Sequence, residues 1–318
     1  MSKGGHSQAS PAGDENLPDG ETDHITNADG LSIYCRYWRP TQGKPRGLVH
    51  VIHGAGEHCR RYDEIASRLS ALGYFAFAHD HVGHGQSEGP RMQVSDFQVF
   101  VRDTLQHFDL ICKRYPDVPI FLLGHSMGGA ISILAASERS GKVAGVVLIG
   151  PLIEGNPDVV SPFKIFLMKI FKYLLPSLTL ASIEAASVTR NKAEVELFES
   201  DPLVYHAGLS VSFLSALMDA VARIEALLPD VTWPFLLVHG DQDQLCFVDA
   251  SRSFHERARS ADKTLHFPGC LLAGLLWQQS PPVDKPGRRL GSDTGCVWVT
   301  EALKEHAFGR VIGKTNKT

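Results

Sequence analysis

The sequence predicts a mostly parallel α/β sheet flanked by helices, with an inserted helical cap and an atypical C-terminal segment. Three observations carry this. From about residue 30 onward, short apolar runs alternate with helical patterns, the signature of βαβ units. Between 151 and 229 that alternation stops and the chain reads as helices alone. The composition fits a globular protein: of 318 residues, 43% are hydrophobic and 21% charged, which excludes a wholly disordered, collagenous or coiled-coil chain.

The elements follow in order. Residues 1–25 are polar and Gly-rich and are expected to form a disordered tail, with no apolar h-region and hence no secretory signal. LSIYCRYW (31–38) alternates and predicts an antiparallel first strand. GLVHVIHG, GYFAFAHD, PIFLLGHS, VAGVVLIGP and PFLLVHGD are continuous apolar runs ending at Gly, His, Asp or Ser. Such runs suit central parallel strands buried on both faces, whose carboxyl ends open onto a ligand crevice. Helical spacing marks 61–72, 97–114 and 127–138. The domain reading is a core of 26–150 and 230–269, a cap of 151–229, and a C-terminal segment of 270–318 whose stretch 278–295 is rich in Pro, Gly and charge. Within the cap, 161–178 is apolar nearly all round, with Lys164, Lys169 and Lys172 toward one side, which suits a lipid-facing or channel-lining helix as well as a core-facing one.

Charge and cysteine narrow the function classes. Thirty-one Lys and Arg against 35 Asp and Glu give −4, so there is no bulk attraction for nucleic acid. Six dispersed Cys without a CxxC pair read as reduced thiols. No run approaches the roughly 18 apolar residues of a membrane span. Fifteen His are an excess that invites either metal binding or proton transfer.

PIFLLGHSMGGA is the strongest motif. A buried strand runs into Gly124-His125-Ser126-Met127-Gly128 and a helix follows at once, the context of a nucleophile elbow. The turn strains Ser126 and requires small residues two before and two after it. HGAGEH (53–58) is an HGxG turn after an early strand, which assigns oxyanion-donating N–H groups to Ala55 and Met127. A phosphate loop is the rival, and it lacks a GK[ST] ending. HGDQDQLC (239–246) puts an acid just past a late strand; Asp243 is the choice and Asp241 the alternative, in the chain order Ser, Asp, His. His79, His81 and His84 could ligate a metal, but the Asp between them falls in the wrong slot, so no metal is expected and the run reads as a site-flanking loop.

HGAGEH, FAHDHVGHGQSEGPRM, VSDFQVFVRD, FLLGHSMGGAI and TRNK with ESDPL together resemble the monoacylglycerol lipase family of α/β-hydrolases, from about residue 27 to 265. The resemblance implies an eight-stranded hydrolase core, a membrane-docking cap, and hydrolysis of monoacylglycerols to fatty acid and glycerol without a cofactor. It implies Ser126 as nucleophile, Asp243 as acid, Ala55 and Met127 as oxyanion donors, and Glu57 and Arg61 at the glycerol end of the pocket. It further implies a cytosolic, peripherally membrane-associated protein, with a homodimer as a further expectation. Tyr205 stands where the family has a cap cysteine, whereas Cys246 matches. Beyond Pro268 the resemblance ends abruptly, in the manner of an alternative C-terminal exon, and no His stands at the expected loop position. Three His follow Asp243: His255 in a helical run, His266 in the last strand and His306 in TEALKEHAF. The alternative reading is therefore a catalytically impaired variant that binds lipid or a partner.

Overall fold

The computed structural model describes residues 21–155, 171, 173–175, 177–181, 192–243 and 245–267. Its eight-stranded sheet is built from β1 (Thr22–Thr26), β2 (Ser32–Trp38), β3 (Leu48–Ile52), β4 (Phe75–His79), β5 (Ile120–His125), β6 (Val143–Ile149), β9 (Phe235–Val238) and β10 (Lys263–His266). The spatial order is β1-β2-β4-β3-β5-β6-β9-β10. β2 is antiparallel to both β1 and β4, and every other pairing is parallel. β3, β4, β5 and β9 are buried along their whole length, as expected of continuous apolar runs covered on both faces.

Two cores result from the two-residue periodicity of these strands. Val49 and Val51 of β3 with Ala76 and Ala78 of β4 meet Ile65, Ala66 and Leu69 of α1 (Asp63–Ala71). On the opposite face, Phe75 and Phe77 pack with Phe100 and Phe108 of α2 (Gln98–Arg114) and Ile131 of α3 (Met127–Glu138). Burying each such aromatic ring contributes about 1.5–3 kcal/mol.

Three departures from the sequence reading have physical causes. The tail does not extend to residue 25: Thr22–Thr26 is a strand, paired residue for residue with β2. TDHIT is mostly polar because this edge strand buries little, and only its hydrogen bonds reveal it. The insertion is not helical throughout, since β7 (Thr179–Ala181) and β8 (Leu209–Ser210) form an antiparallel pair, with α4 (Lys192–Ser200) between them in sequence. α5 (Val211–Leu227) packs its Phe213, Ala216, Ala220 and Ile224 face into the main core, so it belongs with the sheet layers. α6 (Val248–Arg257) packs against β10. Residues 1–20, most of 161–178 and everything after Phe267, including His306, lie outside the described residues.

Candidate active site

Ser126 joins β5 to α3 with φ 53° and ψ −117°, a positive φ shared among described non-glycine residues only with Met92. Such a backbone costs about 1–3 kcal/mol and persists only where its surroundings hold it. They do so here. The Ser126 N–H donates to the Ile149 carbonyl (3.1 Å), and the Ser126 carbonyl accepts from the N–H groups of Gly129 (2.9 Å), Ala130 (3.3 Å) and Leu152 (2.9 Å). Close approach explains the two flanking glycines. A Cβ at Gly124 would strike the Gly128 carbonyl and the Ser132 hydroxyl, and one at Gly128 would strike the carbonyls of Ile52 and His53. The second contact seats the start of α3 against the end of β3, beside the 53–58 loop.

That loop is fixed by side chains. The backbone N–H of His81 donates to His53 Nε2 (3.0 Å), so the proton sits on Nδ1, which donates to the Gly54 carbonyl (2.8 Å). Burial, then the neighbouring His84, lowers the His53 imidazole to about 3. Among the described residues, neither the Ala55 nor the Met127 N–H has an acceptor. Met127 opens α3, where the helix dipole adds partial positive charge.

Glu57 lies beneath the loop. Its Oε2 accepts from the Tyr62 hydroxyl (2.8 Å) and the Gly54 N–H (3.3 Å), and His125 Nδ1 donates to the Tyr62 oxygen (2.8 Å). Burial opposes the Glu57 charge, but His125, Arg61 and the Tyr62 hydrogen bond outweigh it and hold the carboxyl at about 2. Arg61 instead lies over the Phe198 ring, 5.1 Å from its centroid. It lines an open cavity of 640 Å³ together with His58, Arg60, Glu194, Leu197 and Asp201. Two contacts tie the insertion to the loop: His58 Nε2 meets Asp201 Oδ2 at 2.8 Å, and the Tyr205 N–H donates to the Gly56 carbonyl at 2.9 Å.

The acid comes from the turn after β9. Asp243 curls back so that its side chain is fully shielded, whereas Asp241 is exposed. Asp243 Oδ1 accepts from the N–H groups of Leu245 (2.8 Å) and Cys246 (3.0 Å). Its Oδ2 meets His239 Nε2 at 3.1 Å, and His239 Nδ1 meets the Ser251 hydroxyl at 2.7 Å. The hydrogen-bond neighbour of the Ser126 hydroxyl among the described residues is the Cys246 thiol, at 3.8 Å. Burial, then the Asp243 charge, pushes that thiol well up and keeps it protonated. His255 is half-buried and packs edge-on against Phe235, 6.1 Å between centroids, and His266 ends β10 with its carbonyl accepting the His239 N–H.

The structure thus places Ser126, Met127 and the loop of Ala55 and Glu57 side by side, and brings Asp243 near Ser126 through Cys246. The sequence reading missed two partners. His239 stands four residues before Asp243 at a strand end, a spacing that could have signalled the pair. Tyr62 links Glu57 to His125 across 63 residues, which no local pattern reveals.

The family model described as serine aminopeptidase, S33 matches residues 43–270. Monoglyceride lipase from Mus musculus is 55% identical over 251 residues, covering 79% of this chain and 82% of that protein. Monoacylglycerol lipase from Mycolicibacterium smegmatis is 34% identical over 275 residues, covering 86% and 95%. Among solved structures, Paleococcus ferrophilus monoacylglycerol lipase superposes with a TM-score of 0.71 at 25% identity, covering 88% of this chain and 98% of that one.

Proposed function

The chain belongs to the monoglyceride lipase family of α/β-hydrolases, and from that premise we propose that it cleaves monoacylglycerols to a fatty acid and glycerol with Ser126 as the nucleophile. The observation that carries the proposal is the strained Ser126 turn flanked by two N–H groups without acceptors among the described residues. The Ser126 hydroxyl attacks the ester carbonyl, and Ala55 and Met127 donate to the oxyanion that forms. Glycerol leaves, and water then releases the acyl group. Asp243, held by three hydrogen bonds, is placed to orient an imidazole and stabilise its protonated form. That imidazole comes from the chain beyond β9, with His266 and His306 as its candidates. Glu57 and Arg61 are assigned to the glycerol end. No cofactor enters this scheme.

The membrane surface is the second part of the proposal. Of the cap residues described, Tyr173 is 83% and Leu174 67% exposed, with Leu175 and Leu178 beside them. Large exposed apolar side chains of this kind suit a cytosolic protein that docks on lipid and draws in an acyl chain. Tyr173→Glu with Leu174→Glu should reduce partition into phospholipid vesicles severalfold, and unchanged partition would reject the docking role. A homodimer is a further proposal, decided by sedimentation.

A second reading rests on the acid side. The Ser126 hydroxyl faces a protonated thiol, and both Asp243 oxygens already accept hydrogen bonds. A chain arrested in this arrangement would bind monoacylglycerol without turning it over, since loss of the base removes several orders of magnitude of rate. Glycerol release from a monoacylglycerol emulsion by the full chain, compared with Ser126→Ala, separates the two. The proposed function requires release that the variant loses by about 10⁵-fold. Equal rates for the two proteins, with substrate still bound, establish the second reading.

A further inference from the structure

Six of the buried histidines fall into two groups, and only one group is explained by backbone contacts. His53, His81 and His84 use ring nitrogens to hold loop carbonyls or N–H groups. Among the described residues, His50 on β3, His79 on β4 and His107 on α2 hydrogen-bond no backbone group. His50 Nε2 stands 3.3 Å from His79 Nδ1, and His107 Nδ1 stands 3.3 Å from the same atom. The three residues are at most 1% exposed, and the nitrogens they offer one another all lie within 4.8 Å.

Hydrogen bonding alone does not satisfy this cluster. His79 Nδ1 has a single in-plane lone pair, and two other rings compete for it at a distance longer than a good N–H···N bond. The remaining nitrogens, His50 Nδ1, His79 Nε2 and His107 Nε2, are buried without partners among the described residues. Burial first, and for His50 and His79 the repulsion of neighbouring rings, keeps the imidazoles neutral, the form in which they ligate. Nitrogens bound to one ion at 2.0–2.1 Å stand about 3.3–3.6 Å apart in tetrahedral or trigonal geometry. The two measured separations match the short end of that range.

We propose that His50, His79 and His107 form a buried tri-imidazole site for a late first-row transition ion, pinning β3, β4 and α2 together beneath the loops of the candidate active site. Imidazole donors suit zinc and copper. A set of neutral donors in a core with Tyr37 and Phe77 favours the singly charged Cu(I), because the cost of burying charge rises with its square, whereas Zn(II) would need a hydroxide as fourth ligand. The motif that first suggested a metal, 79–84, contributes only His79; the other two ligands lie far away in sequence.

The test uses the full chain, stripped by chelator and loaded with Zn(II), Co(II) or, under reductant, Cu(I), both folded and during refolding from denaturant. The wild type should take up one equivalent of at least one ion, and its melting temperature should rise by about 5 °C at hundredfold excess over Kd. His50→Phe, which keeps the ring stacked on Phe77, and His107→Phe should each weaken binding at least tenfold. His24→Ala, on the exposed edge strand, should leave it unchanged. If either core variant fails to fold, the other decides, and nitrogen coordination by Co(II) in the wild type is read from its visible absorption. Uptake below a tenth of an equivalent by either loading route, or uptake unaffected by both core substitutions, overturns the site.

Discussion

Ser126 and Asp243 end strands that lie two apart in one sheet, β5 and β9, and each is held by several hydrogen bonds. The means differ. Around Ser126 the constraints are backbone contacts among β3, β5, β6 and α3, with no room for a Cβ at Gly124 or Gly128. Around Asp243 the held group is a side chain on a turn: its carboxylate accepts from the N–H groups of Leu245 and Cys246 and meets the side chain of His239, which Ser251 holds in turn. Close-packed backbone cannot adjust to a change, whereas a turn can rearrange when a partner is exchanged. The nucleophile's geometry is therefore set by the sheet itself, and the acid's by a turn and one replaceable side chain, His239.

Substitutions should expose that contrast. Gly128→Ala drives a methyl group into the carbonyls of Ile52 and His53, and should leave little folded protein by circular dichroism and gel filtration. Folded, monodisperse Gly128→Ala protein would show that the elbow is less tightly seated than described. Asp243→Asn is nearly isosteric and should keep the fold, while lowering kcat for ester hydrolysis by about 10⁴-fold. A loss below tenfold would remove Asp243 from the reaction.

Acid should weaken the two sides unequally. His53 and His84, both on the nucleophile side, are lowered by burial to about 3 and about 4 from 6.5. Above pH 6.5 the folded and unfolded chains both hold these rings neutral. As the pH falls below that, the unfolded chain takes up protons the folded one refuses, so stability is lost toward pH 4, by about 3 kcal/mol for each ring. Urea unfolding at pH 7.5, 6 and 5 should show a falling midpoint, and His53→Asn with His84→Asn should make the fall less steep, the other buried imidazoles keeping the remainder. A midpoint independent of pH would contradict the burial of these rings as neutral groups.

The parts of this molecule legible from its sequence are those encoded locally. The elbow is a run of five residues whose spacing follows from sterics, and the strands announce themselves as apolar runs because both faces are covered. β1 escaped because an edge strand needs no apolar pattern, and α5 was assigned to the cap because helical spacing does not say which layer a helix joins. The Glu57, Tyr62 and His125 network and the His50, His79 and His107 cluster join residues brought together only by the sheet order. The imidazole that Asp243 would orient belongs to this second kind. Its candidates are His266, at the end of β10, and His306, past the point where the family resemblance ends and local pattern offers no guide.

Labelling by a fluorophosphonate probe tests most directly whether Ser126 is an activated nucleophile. The full chain at pH 7.5 should react at a single residue, identified as Ser126 by peptide mass spectrometry. Labelling should disappear in Ser126→Ala and fall about 10³-fold or more in Asp243→Asn. Folded wild-type protein that leaves the probe unreacted, or that reacts equally well as Asp243→Asn, would contradict the account.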